Sequence, residues 1–115
     1  MPRRGSAKAA SALAGSAPVF AALGDETRLR LVSRLGHDGP MSIARLTAGF
    51  PVTRQAITKH LRVMEGAGLV RSTRQGRERV WHLEQRRLAE AHRSLQLISK
   101  EWDATLGRLK TFVER

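Results

Sequence analysis

The sequence predicts a mostly α-helical domain that carries one small β-hairpin, in the order α-α-α-α-β-β-α. Three observations predict it. Between Val19 and Gly68 the apolar residues recur at three- and four-residue steps, in runs broken by Gly, Pro and Asp; that is the spacing of helices with one buried face. From Leu69 to Leu83 the period gives way to two short β-capable runs around a central glycine. From Gln85 to Arg115 there is no proline and only Gly107 as a weak point, the pattern of a single long helix.

The 115 residues suffice for one small core and little more. Residues 1–17, MPRRGSAKAASALAGSA, are small residues with Arg3, Arg4 and Lys8; with little to bury, they are expected to form a disordered basic arm. They lack the apolar centre of a secretory signal. The domain proper is expected over 18–115. Pro18 suits a helix first turn, followed by the apolar Val19, Phe20 and Leu23 and stopped by Gly24. Asp25 is placed to cap the next helix, with Glu26 in its first turn. Leu29, Leu31, Val32 and Leu35 form that helix's buried side, and Gly36 is its expected end. His37-Asp38-Gly39-Pro40 is a turn by composition.

Ser42 is placed to cap a short helix over 43–48. The turn Gly49-Phe50-Pro51-Val52 leads to Thr53, cap of a helix that Gly66 and Gly68 end. On this second helix Ile57, Leu61 and Met64 fall within about 60° of one another. Gln55, Thr58, Lys59 and Arg62 share the opposite side, which holds no acid until Glu65. Amide and guanidinium groups pair bidentately with adenine and guanine edges, and lysine and hydroxyls suit phosphates. The plainer reading is an amphipathic helix with a solvated charged face. Two short helices joined by a Gly-containing turn, the second basic outside, form a helix-turn-helix over about 42–67.

Leu69 to Arg74 and Arg79 to Leu83 are the hairpin strands around Gln75-Gly76-Arg77-Glu78, a wing over 69–84. Trp81 and Leu83 share its inward face, and Arg71, Arg74, Arg77 and Arg79 make it basic. The fold class is thus a winged helix-turn-helix, with residues 71–79 on a DNA backbone or in a minor groove. In the last segment, 85–113, Leu88, Ala91, Leu95, Ile98, Trp102, Leu109 and Phe112 recur as an a/d seam with Thr105 in its polar slot. We expect a dimerisation helix, joined by Val19, Phe20 and Leu23; the alternative is packing within the same chain.

The formal net charge is +11, which points to nucleic acid or an anionic surface as partner. No apolar run is long enough to span a membrane. The absence of cysteine excludes disulfides, thiolate metal sites and thiol redox chemistry. With two Trp, three Phe and no Tyr, stacking of single-stranded bases on aromatic platforms is disfavoured. The acids are dispersed, no Ser/His/acid set is grouped, and no glycine loop cradles phosphate, so no catalysis and no cofactor are expected.

Taken together, Phe20-Ala21-Ala22-Leu23-Gly24-Asp25-Glu26-Thr27-Arg28-Leu29-Arg30-Leu31, Val52-Thr53-Arg54-Gln55-Ala56-Ile57-Thr58-Lys59-His60-Leu61, Ala67-Gly68-Leu69-Val70 and Gly76-Arg77 resemble the ArsR family of winged helix-turn-helix regulators. The resemblance covers roughly residues 18–83. It implies a homodimeric DNA-binding transcriptional regulator, usually a repressor, in the cytoplasm of a bacterium or archaeon and associated with its nucleoid. Its partners would be double-stranded DNA with an imperfect palindrome, a second copy of itself, and an inducer, small molecule or protein, that the sequence does not identify. The DNA-contacting positions it implies are Thr53, Arg54, Gln55, Thr58, Lys59 and His60; with Ser42, Arg62 and the wing arginines these make up the candidate interface. His60 lies about 60° from the core face, where a packed or backbone-bonded histidine is an equal alternative. The family's metal sensors differ: the helix of Ile43, Ala44, Arg45, Leu46 and Thr47 has no ligand, and Glu90 with His92 completes only half of a second site. No metal is expected. The alternative function is a non-specific basic protein associated with DNA or RNA, which the charge alone supports equally.

Overall fold

The computed structural model describes residues 4–114, with side chains from residue 10 onward. Its elements are α1 (Arg4–Leu23), α2 (Glu26–Asp38), β1 (Met41–Ser42), α3 (Ile43–Thr47), α4 (Arg54–Gly66), β2 (Val70–Gln75), β3 (Glu78–Leu83) and α5 (Gln85–Glu114). Two compact units result, one of Pro18–Leu88 and the other of the described residues up to Ala17 together with those from Ala89.

In the first unit, the three predicted caps form. Asp25 Oδ2 accepts from the Arg28 N–H at 3.0 Å, Ser42 Oγ from the Arg45 N–H at 3.4 Å, and Thr53 Oγ1 from the Ala56 N–H at 3.1 Å. Each satisfies one of the donors that a helix start leaves open. α2 runs past Gly36 to Asp38 and ends at Gly39, whose φ of 80° suits a glycine. The Gly39 N–H returns to the Leu35 carbonyl at 3.0 Å, so the stop lies where backbone geometry needs glycine rather than at the first glycine met.

Leu31 and Leu35 of α2, Met41 of β1, Leu46 of α3, Ile57, Leu61 and Met64 of α4, and Leu69, Val70 and Trp81 form the buried core. Each large side chain removed from water contributes about 1.5–3 kcal/mol. The hairpin is in register from Val70↔Leu83 to Gln75↔Glu78. Gly76 has a φ of 65°, the first central position that a type II′ turn reserves for glycine. The sheet also has a third strand, absent from the sequence expectation: β1 pairs antiparallel with β3 through Met41↔Trp81 and Ser42↔Val80, giving the order β1-β3-β2. Two residues make no visible alternation, so only the pairing reveals it.

Arg34 of α2 closes the helix-turn-helix from behind. It donates to the carbonyls of Leu46, at 3.2 Å, and of Ala48, and its guanidinium stands 5.9 Å from the Phe50 ring centroid. The open end of α3 is thereby satisfied by a side chain of another helix.

In the second unit the expectation of disorder over residues 1–17 is corrected for residues 4–17, which are helical as part of α1; residues 1–3 lie outside the described residues. Alanine is the strongest helix former, and this stretch is rich in it. The segment also has a partner: the hydroxyls of Ser16 and Ser94, both nearly inaccessible, lie 3.0 Å apart. The Ser94 hydroxyl is also 3.1 Å from the carbonyls of Ala12 and Glu90. Small side chains let α1 and α5 approach this closely. Pro18 accordingly sits inside α1 and not at its start, where it withdraws one helix hydrogen bond.

Among the described residues, no helix is long and apolar enough to cross a membrane.

Candidate nucleic-acid interface

α4 buries Ile57, Leu61 and Met64 completely, and that fixes which way the rest of the helix faces. Arg54, Gln55 and Lys59 are exposed beside Thr53 at the helix start. Among the described residues, no hydrogen bond or ion pair holds these three side chains. Thr58 is half-buried, and its hydroxyl donates to the Arg54 carbonyl at 2.9 Å, which leaves its oxygen as an acceptor. The result is a capped helix start, with its positive dipole end, bearing two cations and an amide that nothing in the unit neutralises.

Other predicted positions are turned elsewhere. Arg62 donates to Glu65 Oε1 at 3.0 Å and stands 5.8 Å from the Trp81 ring centroid, so it ties α4 to the hairpin. His60 faces α2: its Nδ1 is 3.3 Å from an Arg28 guanidinium nitrogen and 3.8 Å from Asp25 Oδ2. Of the two readings of His60, these contacts match the packed one, because Ile57 and Leu61 set the rotation of the helix. Ser42 lies in β1 with its hydroxyl on the Arg45 N–H.

Arg28 was not foreseen as more than part of a motif. Its Nε donates to the Ala22 carbonyl, near the end of α1, while its guanidinium reaches His60 and its N–H is capped by Asp25. That N–H, with the Arg28 guanidinium behind it, holds the Asp25 carboxyl below the usual carboxylate range, against the opposite pull of burial.

The hairpin arginines divide similarly. Arg71 bridges Glu84, and Arg79 donates to Ser72 Oγ at 2.9 Å. Arg74 and Arg77 are exposed, and among the described residues nothing pairs with their side chains. On the opposite face, Thr73 Oγ1 and His82 Nε2 are 2.8 Å apart.

The expected dimer seam is partly available. Val19 and Ala91 are buried within the chain, which corrects their assignment to a partner. Phe20, Leu23, Leu88 and Ile98 are half-buried. Leu95, Trp102, Leu109 and Phe112 are exposed, together with Leu106 and Val113, which the heptad pattern passed over. A straight α-helix advances about 100° per residue, so a seven-residue repeat drifts about 20° per heptad. At the true period Leu95, Trp102, Leu106, Leu109 and Val113 form one stripe, and Phe112 stands at its margin.

Among the described residues, no three His, Asp or Glu side chains come together as a metal-binding group.

Residues 23–73 match the family described as a helix-turn-helix domain. The HTH-type transcriptional regulator Rv2034 of Mycobacterium tuberculosis is 36% identical over 96 residues, covering 73% of this chain and 89% of that protein. The uncharacterised HTH-type transcriptional regulator YuzN of Bacillus subtilis is 43% identical over 68 residues, covering 54% of this chain and 74% of the relative. Among solved structures, the ArsR-like transcriptional regulator from Rhodococcus sp. RHA1 superposes with a TM-score of 0.75 at 39% identity, over 86% of this chain and 92% of that one.

Proposed function

The chain belongs to the ArsR family of helix-turn-helix transcriptional regulators, and we propose that it acts as a homodimeric, sequence-specific repressor on an imperfect palindrome. A regulator of this family is not an enzyme. The observation that carries the finer reading is the unpaired, acid-free start of α4. Gln55 and Arg54 read base edges in the major groove, and Thr53, Thr58 and Lys59 meet bases or phosphates. Arg74, Arg77 and Arg79 lie along the backbone or the adjacent minor groove and position the protein.

The exposed stripe of Leu95, Trp102, Leu106 and Leu109 supports dimerisation through α5, since so many large apolar side chains in a row are rarely left in water. A dimer would offer its two α4 helices to successive major grooves, one turn of DNA apart. The setting is the cytoplasm, at the nucleoid, and release by an inducer, small molecule or protein, belongs to the same proposal.

The test is a titration into a duplex from the upstream region of the protein's own gene and into a scrambled duplex, at two salt concentrations. A preference of about 10³ or more, saturating at two subunits per duplex, is the expected result. Equal affinities that collapse together as salt rises would leave only counterion release. The protein would then be the non-specific basic binder that its +11 charge alone describes.

A further inference from the structure

α4 and the hairpin are joined by a very short link. Only Ala67, Gly68 and Leu69 separate the end of α4 from β2. The link is closed by the Gly68 N–H on the Glu65 carbonyl at 3.0 Å and by the Leu69 N–H on the Met64 carbonyl at 2.9 Å. Such a link fixes where the hairpin begins. It does not by itself fix the angle between hairpin and helix, which a few φ/ψ changes at a single joint can alter. Arg62 supplies a second point of attachment. Its place in α4 puts it with Gln55 and Lys59, yet its guanidinium stands 5.8 Å from the Trp81 ring centroid. It also donates to Glu65 Oε1 at 3.0 Å, which orients it there. Trp81 is the root of the hairpin: buried, in the central strand, with Met41 of β1 paired on one side and Ser72 of β2 on the other.

We propose that Arg62 is a positioning residue for the hairpin. Set over Trp81 and oriented by Glu65, it holds the wing at the angle to α4 that brings Arg74 and Arg77 to the DNA, and it touches no nucleotide itself. The proposal rests on the DNA-binding reading above and adds how the two DNA-facing elements are kept at one setting. A cation already shared between a ring face and a carboxylate has little left to offer a phosphate.

The test joins binding to amide exchange. Affinities for operator and scrambled duplexes are measured over a salt series for wild type, R62M, R62K, R74Q/R77Q, and R62M combined with R74Q/R77Q. Acting through the wing, R62M weakens binding about two- to fivefold, the worth of an exposed cation–π contact, and adds nothing once the wing cations are gone. R62K does not restore affinity, because an ammonium does not reproduce a guanidinium that is stacked and hydrogen-bonded at once. A direct phosphate contact gives the opposite pattern and overturns the proposal: R62M costs the same factor with and without the wing cations, takes about 0.9 off the slope of log affinity against log salt in both, and R62K restores that slope. Hydrogen–deuterium exchange of the free protein gives a reading without DNA. R62M and R62K should speed exchange over residues 71–79 and leave α2 as in wild type. Unchanged exchange in the wing overturns the proposal, and so does equal speeding throughout, which would make Arg62 a general stabiliser. If wild-type protein binds both duplexes equally, sequence-specific regulation fails, and the positioning role is still read from wing exchange and from the factors on either duplex.

Discussion

Arg28 and His60 meet across two helices, with an Arg28 guanidinium nitrogen 3.3 Å from His60 Nδ1. The same guanidinium takes the Ala22 carbonyl through Nε. The end of α1, the start of α2 and α4 are thus held by one planar cation.

Arg28→Lys keeps the charge and loses the fork geometry, since a single ammonium does not reproduce two directed contacts. The variant should lose about 1–2 kcal/mol of stability, the worth of one or two hydrogen bonds, read as a lower urea midpoint at unchanged m-value. A midpoint equal to wild type would show that the guanidinium contacts carry no net stability.

Asp25 gives a pH signature. Its carboxyl is held low in the folded protein, so its contribution is fully present above the unfolded value of about 3.9. It is lost as pH falls through the lowered folded value. Asn at this position still caps but does not titrate. Melting temperatures of wild type and Asp25→Asn from pH 6 to about pH 2 should therefore converge at the acid end. Parallel curves would remove the charge from the account.

On the outer face of α4, Gln55→Ala with Lys59→Ala should reduce operator affinity by about 1–3 kcal/mol for the lost base contact, with a shallower salt slope for the lost lysine. Unchanged operator affinity would place recognition on other residues.

For the α5 stripe, Trp102→Asp puts a charge among Leu95, Leu106 and Leu109, all of them exposed. The variant should sediment as a monomer, retain its helical circular dichroism, and lose operator affinity through the halved contact. A dimer that survives the substitution would move the interface elsewhere.

What could be read from the sequence was local or strictly periodic. Asp25, Ser42 and Thr53 announce helix starts because a cap bonds three residues on. Ile57, Leu61 and Met64 announce a buried face because their spacing matches the helix turn. What could not be read depended on partners distant in the chain. β1 exists only through Trp81 and Val80, and nothing in α4 itself reveals that His60 meets Arg28. Nor does anything near Arg71 in the sequence show the ion pair it makes with Glu84. In α5 the heptad frame chose Phe112 where the helix itself favours Leu106 and Val113.

The strand order β1-β3-β2 leaves β2 as a free edge, opposite a β1 only two residues long. Such an edge is a template onto which any extended chain can zip, and charged side chains are the usual deterrent. β2 carries Arg71 and Arg74 in its run of six residues, so the wing's cations also guard against self-assembly. Stripping them for DNA-binding studies should therefore raise turbidity at high protein concentration, and hairpin variants are best handled dilute.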